Sequence, residues 1–299
     1  MMKEVYTMAD LPELADLHPE VRLGVVGNPI AHSVSPPMQQ AALAADGRDT
    51  GYVRFLCERE EGAFAALISR LRGHGFLGVN VTVPFKKQAW EISGKADALS
   101  QLCGAANTLV FRSGAVECYN TDGPGFERAI RELSGRGLDE LRILLLGACG
   151  GAGSALAAQC VLAGCAHVAL VNRPRPELEK LAAALRPHAR GVVATVSRYD
   201  AEALPAAVQE ADLIVNATSL GLAKDDELPL PPEWLRAGQI VYDLITHDTP
   251  LRRAAAERGC RAATGQSMLL WQGALAYEHW FGALPDVAAM RRALSAASA

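Results

Sequence analysis

Little in this chain would tie it to a membrane, a polyanion or an oxidising compartment. No apolar run approaches the about 18 residues that a bilayer-spanning helix needs. The N-terminal MMKEVYTMADLPEL lacks an apolar stretch of the kind a secretory signal carries, so no signal is expected there. The net charge is −4 and no basic block interrupts the chain, which argues against nucleic acid and anionic membrane as partners. The 7 cysteines, Cys57, Cys103, Cys118, Cys149, Cys160, Cys165 and Cys260, are odd in number and form no CxxC pair. Most lie in apolar stretches, so they read as reduced, buried thiols of a cytoplasmic protein rather than a disulfide frame or a zinc site. The 7 histidines are scattered, and no metal site is expected. What remains is a globular composition, 50% hydrophobic over 299 residues, long enough for two domains.

The stretch Gly78–Lys87, GVNVTVPFKK, organises the first half. Alternation sets Val79, Val81 and Val83 on one strand face and Asn80 and Thr82 on the other. Two polar side chains side by side in so apolar a run call for a ligand or a polar partner. Pro84 ends the strand and suits the approach to a helix, which puts Lys86 near a helix N-terminus. A cation there opposes the helix dipole, and the same field eases the release of its proton, which suits a proton-transferring amine. The alternative is a solvated surface lysine. Upstream, Arg22–Gly27 reads as a strand, followed by the turn-rich GNPIAHSVSPP of Gly27–Pro37 and a helix at Met38–Ala45. Ser35 before Pro36 fits an N-cap. Ser33 and Ser35 beside a helix N-terminus also offer hydroxyl and amide donors to a carboxylate. Tyr52–Phe55 is a further strand, Glu60–Arg72 a helix with Phe64, Leu67, Ile68 and Leu71 on its apolar face, and Gln88–Leu102 another helix. Asn107 and Thr108 stand at the start of the next strand. Asp122, in NTDG, either caps the following helix or serves a site.

The second half reads as a dinucleotide-binding unit. A strand at Leu141–Leu146 runs into GACGGAG (Gly147–Gly153) and a helix at Ser154–Ala163. The spacing departs from G-x-G-x-x-G: aligned on Gly150 and Gly153, the first position is Ala148, with Gly147 one residue early. The next strand, His167–Val171, ends in Asn172-Arg173-Pro174-Arg175. An acid there would suit the ribose 2′-hydroxyl of NAD, whereas two arginines suit the 2′-phosphate of NADP. Strands follow at Val192–Val196, Asp212–Asn216 and Gln239–Asp243, with Thr218 and Ser219 at the carboxyl edge of the second. Late helices are expected at Ser267–Phe281, carrying Gln272 on an otherwise apolar surface, and at Val287–Ala297. The fold class is α/β, with strands and helices alternating in both halves.

Taken together, GNPIAHSVSP, GVNVTVPFK, AANT, NTDG, the glycine loop, NRPR, NATSLGL and GQSMLLWQ resemble the signatures of the shikimate dehydrogenase family, in that family's order, over about Leu23 to Gly282. The resemblance implies two α/β domains with a cleft between them. A discontinuous substrate-binding and catalytic domain would comprise residues 1–122 and 267–299, and a Rossmann-type NADP domain residues 123–266. It implies reversible reduction of 3-dehydroshikimate to shikimate by NADPH, on the route to chorismate and the aromatic amino acids. Ser33 and Ser35 would hold the carboxylate. Asn80, Thr82, Asn107, Asp122 and Gln272 would hold the ring hydroxyls, and Lys86 and Asp122 would form the acid–base pair. Gly147, Ala148, Gly150, Gly151, Ala152, Asn172, Arg173, Arg175, Thr218, Ser219 and Gly265 would hold NADP(H). A monomer or a homodimer is implied. The chain departs from the family where Gln39 and Gln40 replace a His-Asn pair, and where Thr246 stands in place of a tyrosine in DLITHDTPL. Two other readings are a quinate-oxidising paralogue using NAD and a ligand-sensing module without catalysis.

Overall fold

The computed structural model describes residues 3–15, 20–112, 114–174, 176–223 and 225–297. They form two compact units, Met1–Thr121 with Leu270–Ala299, and Asp122–Leu269. In chain order the first unit contributes α1 (Leu11–Ala15), β1 (Val21–Gly27), α2 (Ser35–Ala45), β2 (Gly51–Leu56), α3 (Ala63–Gly73) and β3 (Gly78–Val81). It continues with α4 (Lys86–Glu91), β4 (Lys95–Ala96), α5 (Ala98–Cys103), β5 (Thr108–Arg112) and β6 (Ala115–Tyr119). The second unit begins with α6 (Asp122–Ser134), β7 (Arg142–Leu146), α7 (Gly151–Leu162), β8 (His167–Asn172), α8 (Pro176–Leu185) and β9 (Val192–Ser197). It adds α9 (Ala203–Glu210), β10 (Leu213–Asn216), β11 (Ile240–Asp243), α10 (Pro250–Glu257) and β12 (Arg261–Thr264). The chain ends with α11 (Gln266–Phe281) and α12 (Val287–Ala297). No helix among the described residues is long and apolar enough to cross a membrane.

The first sheet has six strands in the order β2-β1-β3-β5-β6-β4. It is mixed: β1 pairs in parallel with β2 and β3, whereas β5 runs antiparallel to both β3 and β6. Val79 and Val81 are 0% and 2% exposed and join a core with Phe55, Phe64, Leu67, Ile68 and Leu71. This is the apolar face that the spacing in α3 predicts. The alternation stops at Val81, and Val83, expected on the same buried face, is 57% exposed. Gly78 has a packing reason: a Cβ there would lie 2.3 Å from Trp280 Nε1. That indole lies on β3 and donates to the Leu109 carbonyl at 3.0 Å.

Two local expectations need correction. The helix expected at Gln88–Leu102 is two short helices, α4 and α5, with β4 between them. Ser93 Oγ donates back to the Ala89 carbonyl at 2.6 Å and ends α4, and Gly94 N–H then bonds the Val116 carbonyl at 3.0 Å, feeding β4 onto β6. The Asp97 side chain accepts from Ser100 N–H at 2.8 Å and starts α5. Pairing with β6 thus overrides helical propensity. Ser35, expected as an N-cap, is instead the first residue of α2. Val34 holds the cap position, and Ser33 Oγ accepts from Ser35 N–H at 3.3 Å.

The second sheet is parallel throughout, in the order β12-β11-β10-β7-β8-β9. Renumbered within the unit, this is the 3-2-1-4-5-6 order of doubly wound dinucleotide-binding folds, with the switch point between β7 and β10. Strands buried on both faces read as continuous apolar runs, as β7 does with Ile143–Leu146 no more than 3% exposed. The strand β12 (RAAT) carries little such signal and is not among the expected strands.

Candidate active site

In the first unit, a buried polar network gathers at the ends of β3, β5 and β6. Tyr52 Oη donates to Asn80 Oδ1 at 2.8 Å. Burial pushes that phenol well above its ordinary range, which keeps it a neutral donor. Asn80 Nδ2 reaches Thr108 Oγ1 at 3.1 Å and the Asn107 carbonyl at 3.3 Å. Asn107 Oδ1 accepts from Thr121 N–H at 2.8 Å and from the Thr108 and Thr121 hydroxyls, each at 3.1 Å. With Oδ1 so occupied, the amide orientation is set, and Nδ2 points to Gln272 Oε1 at 3.5 Å. Asn80, Asn107, Thr108 and Thr121 are all buried. Such groups are costly unless satisfied, so the network fixes their positions before any ligand arrives.

Two loops flank this network. The Ser33 carbonyl accepts from Arg54 Nε at 2.9 Å and Arg54 Nη2 at 2.6 Å, so a guanidinium on β2 holds the serine loop. Ser33 and Ser35 lie at the N-terminus of α2, where backbone donors and dipole favour an anion. On the other side, Lys86 is the first residue of α4, and its carbonyl accepts from Ala106 N–H at 2.9 Å. The residue next to Asn107 therefore anchors the lysine's backbone. Thr82 and Lys86 are partly buried. Asp122 is the first residue of α6, at the start of the second unit, and is 6% exposed.

In the second unit a cavity of about 440 Å³ opens at the carboxyl ends of β7, β8 and β10. Gly147, Cys149, Gly150, Asn172, Arg173, Thr218 and Ser219 line it, with Arg198, Tyr199 and Glu227. Gly147 has φ +80°, and a Cβ there would lie 2.8 Å from the Ala217 carbonyl carbon. A Cβ on Gly153 would lie 2.3 Å from the Gly147 oxygen. Gly150 is the cap residue of α7, whose first-turn N–H groups lack intrahelical acceptors. The departure from G-x-G-x-x-G therefore disappears in three dimensions: Gly147 makes the tight turn, and Ala148 is fully buried behind it. The Thr218 segment is held in turn. Thr218 N–H and Oγ1 donate to Asn216 Oδ1 at 3.1 and 2.6 Å, and Asn216 Nδ2 donates to Asp243 Oδ1 at 3.0 Å. Asp243 Oδ2 accepts from Thr249 Oγ1 at 2.7 Å. Burial raises the Asp243 carboxyl above its ordinary value despite these bonds. A glycine cradle, a helix N-terminus and a cationic rim without an acid at the end of β8 fit a phosphorylated dinucleotide.

Family models give the same reading along the chain. Residues 25–109 match the shikimate dehydrogenase substrate binding domain, and residues 265–294 the shikimate 5′-dehydrogenase C-terminal domain. The NADP(+)-dependent shikimate dehydrogenase of Moorella thermoacetica is 40% identical over 278 residues, covering 91% of this chain and 92% of that protein. The chain belongs to the shikimate dehydrogenase family. Its fold agrees with two solved shikimate dehydrogenases. The Listeria monocytogenes structure, in complex with shikimate and NAD, has a TM-score of 0.84 at 30% identity, covering 91% of this chain and 96% of that one. The Thermus thermophilus structure, with NADP(H) and shikimate, has a TM-score of 0.81 at 33% identity, covering 93% and 99%.

Within this shikimate dehydrogenase framework, the sequence-derived residues sort clearly. Asn80, Asn107 and Gln272 come together in one network. Gly147, Gly150, Asn172, Arg173, Thr218 and Ser219 line one cavity. Ala148, Gly151, Ala152 and Gly265 are not among the lining residues. Ala148 is buried, and the absence of a side chain at Gly265 is explained by Leu244, whose oxygen would be 2.1 Å from a Cβ. Arg175 lies outside the described residues. Sequence reasoning missed Tyr52, Thr121 and Arg198. Tyr52 reads as an ordinary strand aromatic, and its hydroxyl acquires meaning only beside Asn80. Arg198 follows an undistinguished strand, and only the parallel pairing of β8 with β9 brings it beside Arg173.

Proposed function

We propose that this protein catalyses the reversible NADPH-dependent reduction of 3-dehydroshikimate to shikimate, with Lys86 and Asp122 as its acid–base pair. Membership of the shikimate dehydrogenase family supports the reaction. The observation that carries the residue roles is the bond from Ala106 N–H to the Lys86 carbonyl, which fixes the lysine's backbone beside the Asn107 network. The first unit is the substrate-binding and catalytic domain, and the second is the NADP domain. The protein works in the cytoplasm, consistent with its free cysteines, as a monomer or a homodimer.

Ser33 and Ser35 take the substrate carboxylate at the start of α2. Asn80, Thr82, Asn107 and Gln272 receive the ring hydroxyls. The orientations of Asn80 and Asn107 are set in advance by Tyr52, Thr108 and Thr121, so little ordering of these two amides remains to be done on binding. An analogue lacking one hydroxyl leaves a buried partner unpaired, a penalty of about 1–3 kcal/mol that favours the correct ring. Gly147, Gly150, Asn172, Arg173, Thr218 and Ser219 hold the cofactor, which supplies the hydride when bound. As negative charge grows on the carbonyl oxygen, Lys86 Nζ gives it a proton. Asp122 is the lysine's partner in this acid–base pair. In the oxidative direction Lys86 takes the hydroxyl proton back.

The test is NADP reduction with shikimate, wild type beside Lys86→Ala. Loss of the general acid is expected to lower kcat by about 10²–10⁴-fold, with shikimate affinity measured by calorimetry largely kept. A wild type that turns over neither shikimate nor quinate, with NADP or NAD, would overturn the enzyme reading. A Lys86→Ala variant of undiminished kcat would overturn the role of the lysine alone.

A further inference from the structure

The cavity in the second unit has a rim that neither the family resemblance nor the glycine loop explains. β8 and β9 end side by side, with Asn172 paired to Ser197. Arg198 N–H donates to the Asn172 carbonyl at 2.8 Å, so the residue after β9 is tied to the residue before Arg173. Arg173 and Arg198 therefore line the same cavity from adjacent strand ends. Arg198 is the more enclosed of the ion pair it forms with Glu227: its side chain is 23% exposed, against 70% for the carboxylate. Glu227 lines the cavity too and is its single lining acid among the described residues. It follows a turn in which Asp226 Oδ2 accepts from Gly221 and Ala223 N–H at 3.0 and 2.9 Å.

From this arrangement we infer that Arg198 is a further ligand for the 2′-phosphate of NADP, beside Arg173, and that Glu227 is the placeholder which that phosphate displaces. The inference rests on the NADP reading above. Two arginines on adjacent strand ends match a doubly charged phosphate monoester, and a guanidinium binds it through paired donors. Glu227 neutralises Arg198 and keeps its side chain ordered over the cavity while the phosphate is absent. The carboxylate is exposed, so releasing it into water costs little. It nevertheless competes with the phosphate for the same donors and repels it when the two are close. Glu227 thus tempers the preference for a 2′-phosphate over a 2′-hydroxyl, and Arg198 creates part of that preference. The 2′-phosphate belongs to the adenosine half of the cofactor, so the effect should appear in binding of that half alone.

The decisive experiment is calorimetric titration of the full-length protein with 2′,5′-ADP and with 5′-AMP, with folding checked by circular dichroism. The wild type should bind 2′,5′-ADP more tightly. Arg198→Ala should lose about tenfold or more of 2′,5′-ADP affinity, the worth of a charge-assisted bond, with 5′-AMP affinity unchanged. Glu227→Gln should move the other way, tightening 2′,5′-ADP by about threefold or more as a competing charge is removed and leaving 5′-AMP unchanged. Unchanged 2′,5′-ADP affinity in Arg198→Ala, or no tightening in Glu227→Gln, overturns the inference while Arg173 and the NADP reading stand. A wild type that prefers 5′-AMP overturns the NADP reading and this inference together.

Discussion

The two sites are built from different parts of the polypeptide. Around Asn107 the polar work is done by side chains: one amide oxygen takes three donors, from Thr121 N–H, Thr121 Oγ1 and Thr108 Oγ1. Around Gly147 it is done by backbone, and what matters is that side chains are missing, at Gly147 and Gly153. A hydroxylated ring presents directional groups at fixed angles, so it is matched by rigid amides and hydroxyls. A pyrophosphate presents diffuse charge, so close approach and a row of N–H groups suffice. The first kind of site fails when a hydrogen-bond partner is removed. The second fails when a carbon is added.

That contrast can be broken or sharpened by mutation. The largest effect in this comparison is expected from Gly147→Ala. It places a Cβ 2.8 Å from the Ala217 carbonyl carbon at φ +80°, a strain and overpacking of about 2–4 kcal/mol. A clear loss of NADP affinity and of melting temperature, with shikimate binding kept by calorimetry, is the expected outcome. Equal loss of both ligands would mean that the sites are not separable. Asn107→Ala should do the reverse. It strands the buried Thr121 N–H, at about 1–3 kcal/mol, and should raise the KM for shikimate while leaving binding of 2′,5′-ADP unchanged.

The smallest effect concerns pH and belongs to the first unit. His279 stacks on Tyr119 with ring centroids 3.8 Å apart, and burial lowers its pKa below the ordinary 6.5. A depressed imidazole means that the unfolded chain binds the proton more readily. This group's contribution to stability is therefore full above pH 6.5 and falls as pH drops from there through the folded value. His279→Gln should flatten the decline in the urea midpoint between neutral and mildly acidic pH by a measurable fraction. An identical decline in that variant would assign the effect elsewhere, for instance to His167, which burial also lowers.

Much of the cofactor region was legible from local order alone. A buried strand, glycines and a helix must follow one another in the chain for the turn to form, so β7, GACGGAG and α7 appear as neighbours in sequence. The helix begins at Gly151 rather than Ser154, since glycine hides helical backbone from any propensity argument. The substrate region was legible differently. Asn80 and Gln272 stood out as polar residues in apolar surroundings and Asn107 came only with the family resemblance, but no spacing rule joins positions so far apart. Their assembly depends on β3 pairing with β5 and on α11 packing through Trp280 onto Gly78.

By itself the sequence determined the α/β class, the apolar strands, the glycine turn and most of the candidate site residues. These depend on side-chain periodicity and on backbone permissions that act within a few residues. Tertiary structure decided which of those residues meet. It broke the expected Gln88–Leu102 helix to pair β4 with β6, gave Asn80 a tyrosine partner from β2, and set Arg198 beside Arg173 by aligning two strand ends. The physical reason is that strand pairing and burial of polar groups are satisfied between segments distant in the chain, where local propensity has no say.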